Sequence, residues 1–154
     1  MPEQELGALI RSAVEDALET MFFTTLLGVA EPGSATAEAG VRARVPFRGT
    51  PSGTCTMYLD WRAARRLTAN LLGELEPDVG ESEILAVSGE LTNILAGSVI
   101  SRMQSEALFE LGTPEVVSVD NPPQLDEDRP GRASRSFALE RGTLTLALEV
   151  GKAG

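Results

Sequence analysis

Residues 41–59 read VRARVPFRGTPSGTCTMYL, and this stretch decides the fold class. Val41, Ala43, Val45 and Phe47 alternate with Arg42, Arg44, Pro46 and Arg48, the two-residue period of a strand with one buried face. Cys55, Met57 and Leu59 alternate with Thr54, Thr56 and Tyr58 in the same way. Gly49-Thr50-Pro51-Ser52-Gly53 between them is a turn by composition, so the pair predicts a β-hairpin. Pro46 has no N–H to give to a ladder; it marks an edge strand or a position that points outward.

Upstream, residues 3–27 predict an amphipathic helix. Leu6, Leu9, Ile10, Ala13, Val14, Ala17, Leu18, Met21 and Phe22 recur three and four apart, and Gly28 is the expected stop. Glu31 to Thr36 reads as a loop. Downstream, Asp60 is placed to cap a second helix from Trp61 to Leu72, with Gly73 as its stop. Glu74 to Gly80 reads as a loop. Ser82 opens a third helix expected to reach about Leu111 and to be closed by Gly112 and Pro114. Val116 to Val119, Ser136 to Glu140 and Thr143 to Val150 predict strands, and Asp120 to Arg132, with three prolines, predicts a loop. Short turns join the strand pairs. The expected fold is therefore α+β: one domain over residues 1–154, a mostly antiparallel sheet with helices packed on it.

Composition narrows the chemistry. The chain of 154 residues is 42% hydrophobic and 23% charged, ordinary for a globular protein. No histidine is present, which excludes Ser-His-Asp and Cys-His catalysis as usually built, and with one cysteine it excludes the usual zinc sites. Cys55 lies in the hairpin between two threonines and reads as a core position. Asp126-Glu127-Asp128 is the obvious carboxylate cluster for a hard cation, but it lacks the spacing and glycine of a calcium loop and reads as exposed loop. Asp and Glu outnumber Lys and Arg by 23 to 13, a net charge of −10 that disfavours nucleic acid and anionic membranes. Arg42, Arg44, Arg48, Arg62, Arg65 and Arg66 gather against this trend; they read as a solvated face balancing acids elsewhere, with a local basic face as the other reading. No apolar run reads as a membrane span, and the acidic N-terminus lacks the basic start of a secretory signal, so the expected location is cytoplasmic without membrane insertion.

On a helical wheel the third helix places Ile84, Val87, Leu91, Ile94 and Leu95 on one side, the expected core face. Ala86, Glu90, Asn93, Gly97 and Gln104 fall nearly opposite. Glu90 and Asn93 are three apart and so are neighbours. Ala86 and Gly97, almost without side chains, leave the approach to them open. A polar pair on the outer face of a helix is also what solvation alone produces. Gly97 in mid-helix costs about 1 kcal/mol relative to alanine and asks for a reason, either a partner's approach or close packing.

The run Ser88-Gly89-Glu90-Leu91-Thr92-Asn93-Ile94-Leu95-Ala96-Gly97 resembles the signature helix of the CheX/CheC/FliY family of chemotaxis phosphatases, Glu-x-x-Asn within an apolar helix. Val45-Pro46-Phe47-Arg48-Gly49 through Met57-Tyr58-Leu59 is similar to the family's strand pair, and Ala63, Ala64 and Leu67 to the helix after it. The likeness covers residues 41–105 best. There is one Glu-x-x-Asn motif; around Glu15 and Glu19 no asparagine stands at that spacing, so the chain resembles CheX rather than the two-motif CheC proteins. The resemblance implies a CheX/CheC-like fold and a homodimer with the sheet extended across subunits. It also implies dephosphorylation of a CheY-like receiver domain. Asn93 would orient the attacking water, Glu90 would dock on the receiver, and Ala86 and Gly97 would lie under the partner. No cofactor of the chain's own is implied; magnesium comes with the receiver. Two departures stand. The family usually has Asp or Ser where this chain has Ala86, and its proline a little over twenty residues after the asparagine corresponds only roughly to Pro114, which also reads as an ordinary helix stop. Ala86 keeps a second reading open, a non-catalytic module that binds a receiver or adaptor in a chemotaxis or flagellar-switch complex.

Overall fold

In the computed structural model of the chain, residues 3–22, 28–29, 39–50, 52–103, 108–120 and 128–151 are described. Helix α1 spans Glu3–Met21, and strand β1 is Gly28–Val29. The hairpin is β2, Gly40–Gly49, and β3, Gly53–Asp60. Helix α2 follows at Trp61–Leu72, then a single 3₁₀ turn at Glu76–Asp78, then α3 at Glu81–Met103. Strands β4 (Phe109–Leu111), β5 (Glu115–Val119), β6 (Arg132–Ala138) and β7 (Thr143–Val150) complete the order.

The seven strands form one sheet in the order β1-β6-β7-β3-β2-β4, with β5 also on β2, and every pairing is antiparallel. The hairpin register puts Val41 opposite Leu59, Ala43 opposite Met57 and Val45 opposite Cys55. These side chains are fully buried or nearly so. The alternation thus works as the sequence predicts: one face of the hairpin is core and the other carries Arg42, Arg44, Thr56 and Tyr58. Pro46 is exposed and pairs with Thr54. It lies on the outward set, and its carbonyl accepts from Gly112 N–H at 2.7 Å.

The three helices pack on the core face. Leu6, Ile10, Val14, Leu18 and Phe22 of the first helical segment join Leu67, Leu91, Leu95, Leu144, Leu146, Leu148 and Phe137 in one cluster. Each fully buried large apolar side chain contributes roughly 1.5–3 kcal/mol. Asp60 caps α2 as expected, accepting from Ala63 N–H at 2.9 Å, and Gly73 ends that helix in the left-handed region at φ 68°. Asp60 also accepts from Thr143 N–H at 2.9 Å, tying the α2 start to the β6–β7 turn. Gly142 in that turn has φ 77°, and a Cβ there would stand 2.1 Å from Asp60 Oδ1.

Several boundaries differ from the sequence reading. The first helix ends at Met21, residues 23–27 lie outside the described residues, and Gly28 belongs to a strand that pairs with Phe137 and Ala138. The loop expected at Glu31–Thr36 also lies outside the described residues, as do Pro51, Gln104, Asp126 and Glu127. α3 stops at Met103, and Phe109–Leu111 is a strand held on Phe47, Arg48 and Gly49, so the apolar run up to Leu111 is not one helix. β6 begins at Arg132 rather than Ser136. By length and composition α3 is apolar enough to cross a membrane, contrary to the sequence reading; 56% of its most apolar window is buried inside the fold.

Candidate functional site

α3 has little amphipathic character because it is enclosed on most sides. It packs against α1, α2, β2 and β5. Ile84, Val87, Leu91 and Leu95 are buried as expected and Ile94 is half-buried, but so are Ser88, Gly89, Thr92 and Ala96 on the sides a wheel leaves undecided. Thr92 meets this burial by donating its hydroxyl to the Ser88 carbonyl at 2.8 Å. What remains open is a narrow window. Ala86 and Glu90 are exposed, and Asn93 and Gly97 half-buried.

The window is bordered by the β4–β5 segment. A Cβ on Gly89 would stand 3.1 Å from Val116 Cγ2 and 3.4 Å from Pro114 Cβ, so this turn of α3 lies nearly in backbone contact with the segment. Two turns further, a Cβ on Gly97 would meet only Leu111 Cδ1, at 3.9 Å. The two glycines therefore differ. Gly89 is required by packing inside the fold, whereas Gly97 is nearly free of neighbours and faces the open window. Pro114, read from sequence as a helix stop, instead packs beside the residue preceding Glu90. The sequence carries little signal for it, since Phe109-Glu110-Leu111 before Gly112 is too short to show a strand period.

Within the window Glu90 and Asn93 stand on adjacent turns, with Cβ atoms about 5–6 Å apart by helix geometry. Asn93 is distinguished by its carboxamide: Oδ1 is buried and has no hydrogen-bond partner among the described residues. A buried acceptor left unmet costs about 1–3 kcal/mol, so the atom is an open position for a donor. Ser88 Oγ is likewise unmet, but Ser88 is buried on the far side of the helix from Glu90. A carboxylate reaching outward, beside a carboxamide with a vacant acceptor, can hold a cation and orient a water, respectively.

Among the described residues no three carboxylate, histidine or cysteine side chains converge on a common point that could hold a metal ion. Asp128, the described member of the acidic triplet, accepts from Ser134 N–H at 3.0 Å and pairs with Arg135. The six arginines do not form one face. Arg42, Arg44 and Arg48 lie on the outer side of the sheet. Arg62, Arg65 and Arg66 lie on α2, on the helical side, where Arg66 pairs with Glu76 at 3.4 Å and Glu140 at 3.3 Å.

The sequence profile described as chemotaxis phosphatase CheX matches residues 41–129. No curated protein matches the chain. Solved structures do. Chemotaxis protein CheX from Vibrio vulnificus superposes with a TM-score of 0.76 at 22% identity, covering 96% of this chain and 97% of its own. CheX from Desulfovibrio desulfuricans gives 0.72 at 19% identity, over 96% of this chain and 99% of its own. A chain from the CheX–CheY–BeF3–Mg complex of Borrelia burgdorferi gives 0.68 at 18% identity, over 94% and 97%. These likenesses establish that the sheet and helices described above are arranged as in CheX structures.

Proposed function

The chain belongs to the chemotaxis phosphatase CheX family, and from that premise we propose that Glu90 and Asn93 act together to hydrolyse the aspartyl phosphate of a CheY-like receiver domain. The observation that carries the reading is the unmet Oδ1 of half-buried Asn93 beside the exposed Glu90 carboxylate, in the window on the middle of α3. A complex of a similarly folded CheX chain with CheY supports the choice of partner.

In the proposed reaction the window of α3 lies over the receiver's phosphorylated aspartate. On docking, the Asn93 carboxamide turns its unmet Oδ1 outward, accepts a hydrogen bond from a water and holds it in line with phosphorus. The water oxygen forms the new bond to phosphorus as the bond to the aspartyl oxygen breaks; the carboxylate is restored and inorganic phosphate leaves. Little covalent work falls to the helper beyond positioning. Glu90 pairs with a receiver lysine and sets the register of docking. Magnesium is supplied by the receiver, and this chain needs no cofactor of its own. Gly97 and Ala86 leave room for the partner's backbone. The protein acts in the cytoplasm, and as a homodimer.

The test is release of phosphate from a phosphorylated receiver, with wild type and with Asn93→Ala. Faster release with wild type and none above background with the variant is the expected result. Equal rates would refute the assignment. Ala86 favours a second reading, receiver or adaptor binding without hydrolysis, because that exposed position carries no polar group. Binding of the receiver with no effect on its phosphoryl lifetime would establish it.

A further inference from the structure

The sheet face turned away from the helices is uncovered among the described residues, and the register across it is specific. Arg42 pairs with Tyr58 and Tyr58 with Thr145; Arg44 pairs with Thr56 and Thr56 with Ala147; Thr54 pairs with Glu149 and Glu149 with Arg132. The centre of this array, Thr56 and Ala147, is small. The side chains around it are long. The outcome is a cleft of about 230 Å³ whose floor is threonine and alanine and whose rim holds Arg42, Arg44, Tyr58 and Arg132, with Glu149 beside Arg132.

Its charge is unusual for a chain of net charge −10. Arg132 is held by Glu149 at 2.6 Å, and the same carboxylate takes Arg129 at 3.2 Å, so one acid is shared by two bases. Arg42 pairs loosely with Glu115 at 3.8 Å and donates a hydrogen bond to the Tyr58 phenol oxygen, while its Nε is buried with no acceptor. Arg44 stands opposite Glu115 across the β2–β5 ladder, but among the described residues no carboxylate forms a salt bridge with it. Burial pushes the Tyr58 phenol up, while Arg42, Arg44 and Arg132 all pull it down, which places the positive potential of all three at the cleft. Among the described residues arginines outnumber carboxylates on this face, and an anion between Arg42 and Arg44 offsets their mutual repulsion. The donors come from several directions: arginines on β2, another on β6, and hydroxyls of Thr54, Thr56 and Tyr58 on β3. That spread suits a tetrahedral oxyanion better than a planar carboxylate.

We propose that this cleft binds a phosphate-class oxyanion, inorganic phosphate or the head of a small phosphomonoester, held chiefly by Arg42 and Arg44. It lies on the opposite face of the sheet from α3 and does not depend on the proposed reaction there. Calorimetric titration of the full chain with sodium phosphate and with phenyl phosphate, each against sodium chloride at equal ionic strength, tests it. Saturable binding of one phosphate per chain is expected, with amide resonances of Thr56, Tyr58 and Ala147 moving and those of Glu90 and Asn93 still. Arg44→Gln, at an exposed position that folding does not need, should weaken binding about tenfold or more. Tyr58→Phe should weaken it less, and Arg11→Gln on α1 should not change it. Tighter binding of phenyl phosphate than of inorganic phosphate would identify an ester as the ligand; equal binding would identify the free ion. No saturation, or saturation that survives Arg44→Gln with shifts elsewhere on the surface, would overturn the proposal.

Discussion

Pro114 lies against Gly89: a Cβ added to the glycine would come within 3.4 Å of the proline Cβ and 3.1 Å of Val116 Cγ2. The contrast with Gly97, whose nearest neighbour would be 3.9 Å away, yields opposite expectations for the same substitution. Alanine gains about 1 kcal/mol over glycine inside a helix. At Gly97 that gain should appear almost in full as a higher melting temperature. At Gly89 crowding should cancel it or reverse it, leaving Gly89→Ala about 1–2 kcal/mol less stable than Gly97→Ala. Urea titrations of both variants check the difference. If Gly97 is kept small for the partner, Gly97→Ala should also bind the receiver more weakly in spite of its stability; unchanged affinity would remove Gly97 from the docking surface.

Asn93→Ala should lower the hydrolysis rate on the order of a hundredfold while leaving receiver affinity near wild type, because the water is lost but the docking surface is kept. Glu90→Ala should weaken affinity as well as rate. Glu90→Ala should leave the unfolding midpoint nearly unchanged, since that side chain is exposed, and Asn93→Ala should not lower it, since it removes a buried unmet acceptor. Leu91→Ala, fully buried on the other side of α3, should cost roughly 2–5 kcal/mol. Stopped-flow assays with circular-dichroism melts separate these effects.

Asp60 is 5% exposed and serves two elements, taking hydrogen bonds from Ala63 and Thr143. Asp60→Ala should cost about 2–3 kcal/mol, more than loss of a helix cap alone, because the Thr143 N–H is left unmet as well. Hydrogen exchange should show the amides of Ala63 and Thr143 losing protection together. If only Ala63 is affected, the second contact contributes nothing.

Burial pushes the Cys55 thiol up to about 12 from its ordinary 9.0. The native protein therefore holds its proton more tightly than the unfolded chain does. Stability should be unaffected by this group below pH 9.0 and should fall as pH rises from 9.0 toward about 12. Cys55→Ala should show a shallower alkaline loss in denaturant titrations. Iodoacetamide should leave native Cys55 unmodified at neutral pH and label it fully in denaturant.

The homodimer proposed above should give a light-scattering mass of about twice 16.3 kDa. The sheet ends on one side at β1 and on the other at β4 and β5, so backbone groups for pairing with a second sheet are present at both ends. A mass of one chain across a wide concentration range would rule the dimer out.

The hairpin was legible because its alternation and its burial coincide: Val41 to Leu59 register as their spacing predicts. The same is true of the cap at Asp60 and of the exposed positions of Ala86 and Glu90. Other features depend on neighbours distant in sequence. Ser88, Gly89 and Thr92 are polar or small, and it is the packing of other elements around α3 that buries them, Val116 of β5 against Gly89 and Met57 of β3 against Thr92. Phe109-Glu110-Leu111 is too short to show a period and becomes a strand by pairing with Phe47 to Gly49. Arg132 and Arg135 look like loop residues until Glu149 and Asp128 hold them in β6. The Glu90–Asn93 pair could be found by spacing. The vacancy at Asn93 Oδ1 could not, since it depends on what the rest of the fold fails to place there.

The position of β7 carries a consequence for biosynthesis. It lies between β6 and β3, near the middle of the sheet, yet among the described residues it is the last strand in chain order. While the chain is being translated, β3 therefore has only β2 beside it, and its other edge stays open until residues 143–150 emerge. The hairpin and α2 can form early from local contacts, but the sheet cannot close across β3 before synthesis has passed β7. A nascent chain stalled before Thr143 exposes Leu59, Met57 and Cys55 along an unpaired edge. It should be a chaperone substrate, whereas a chain released after Val150 should fold in one cooperative step.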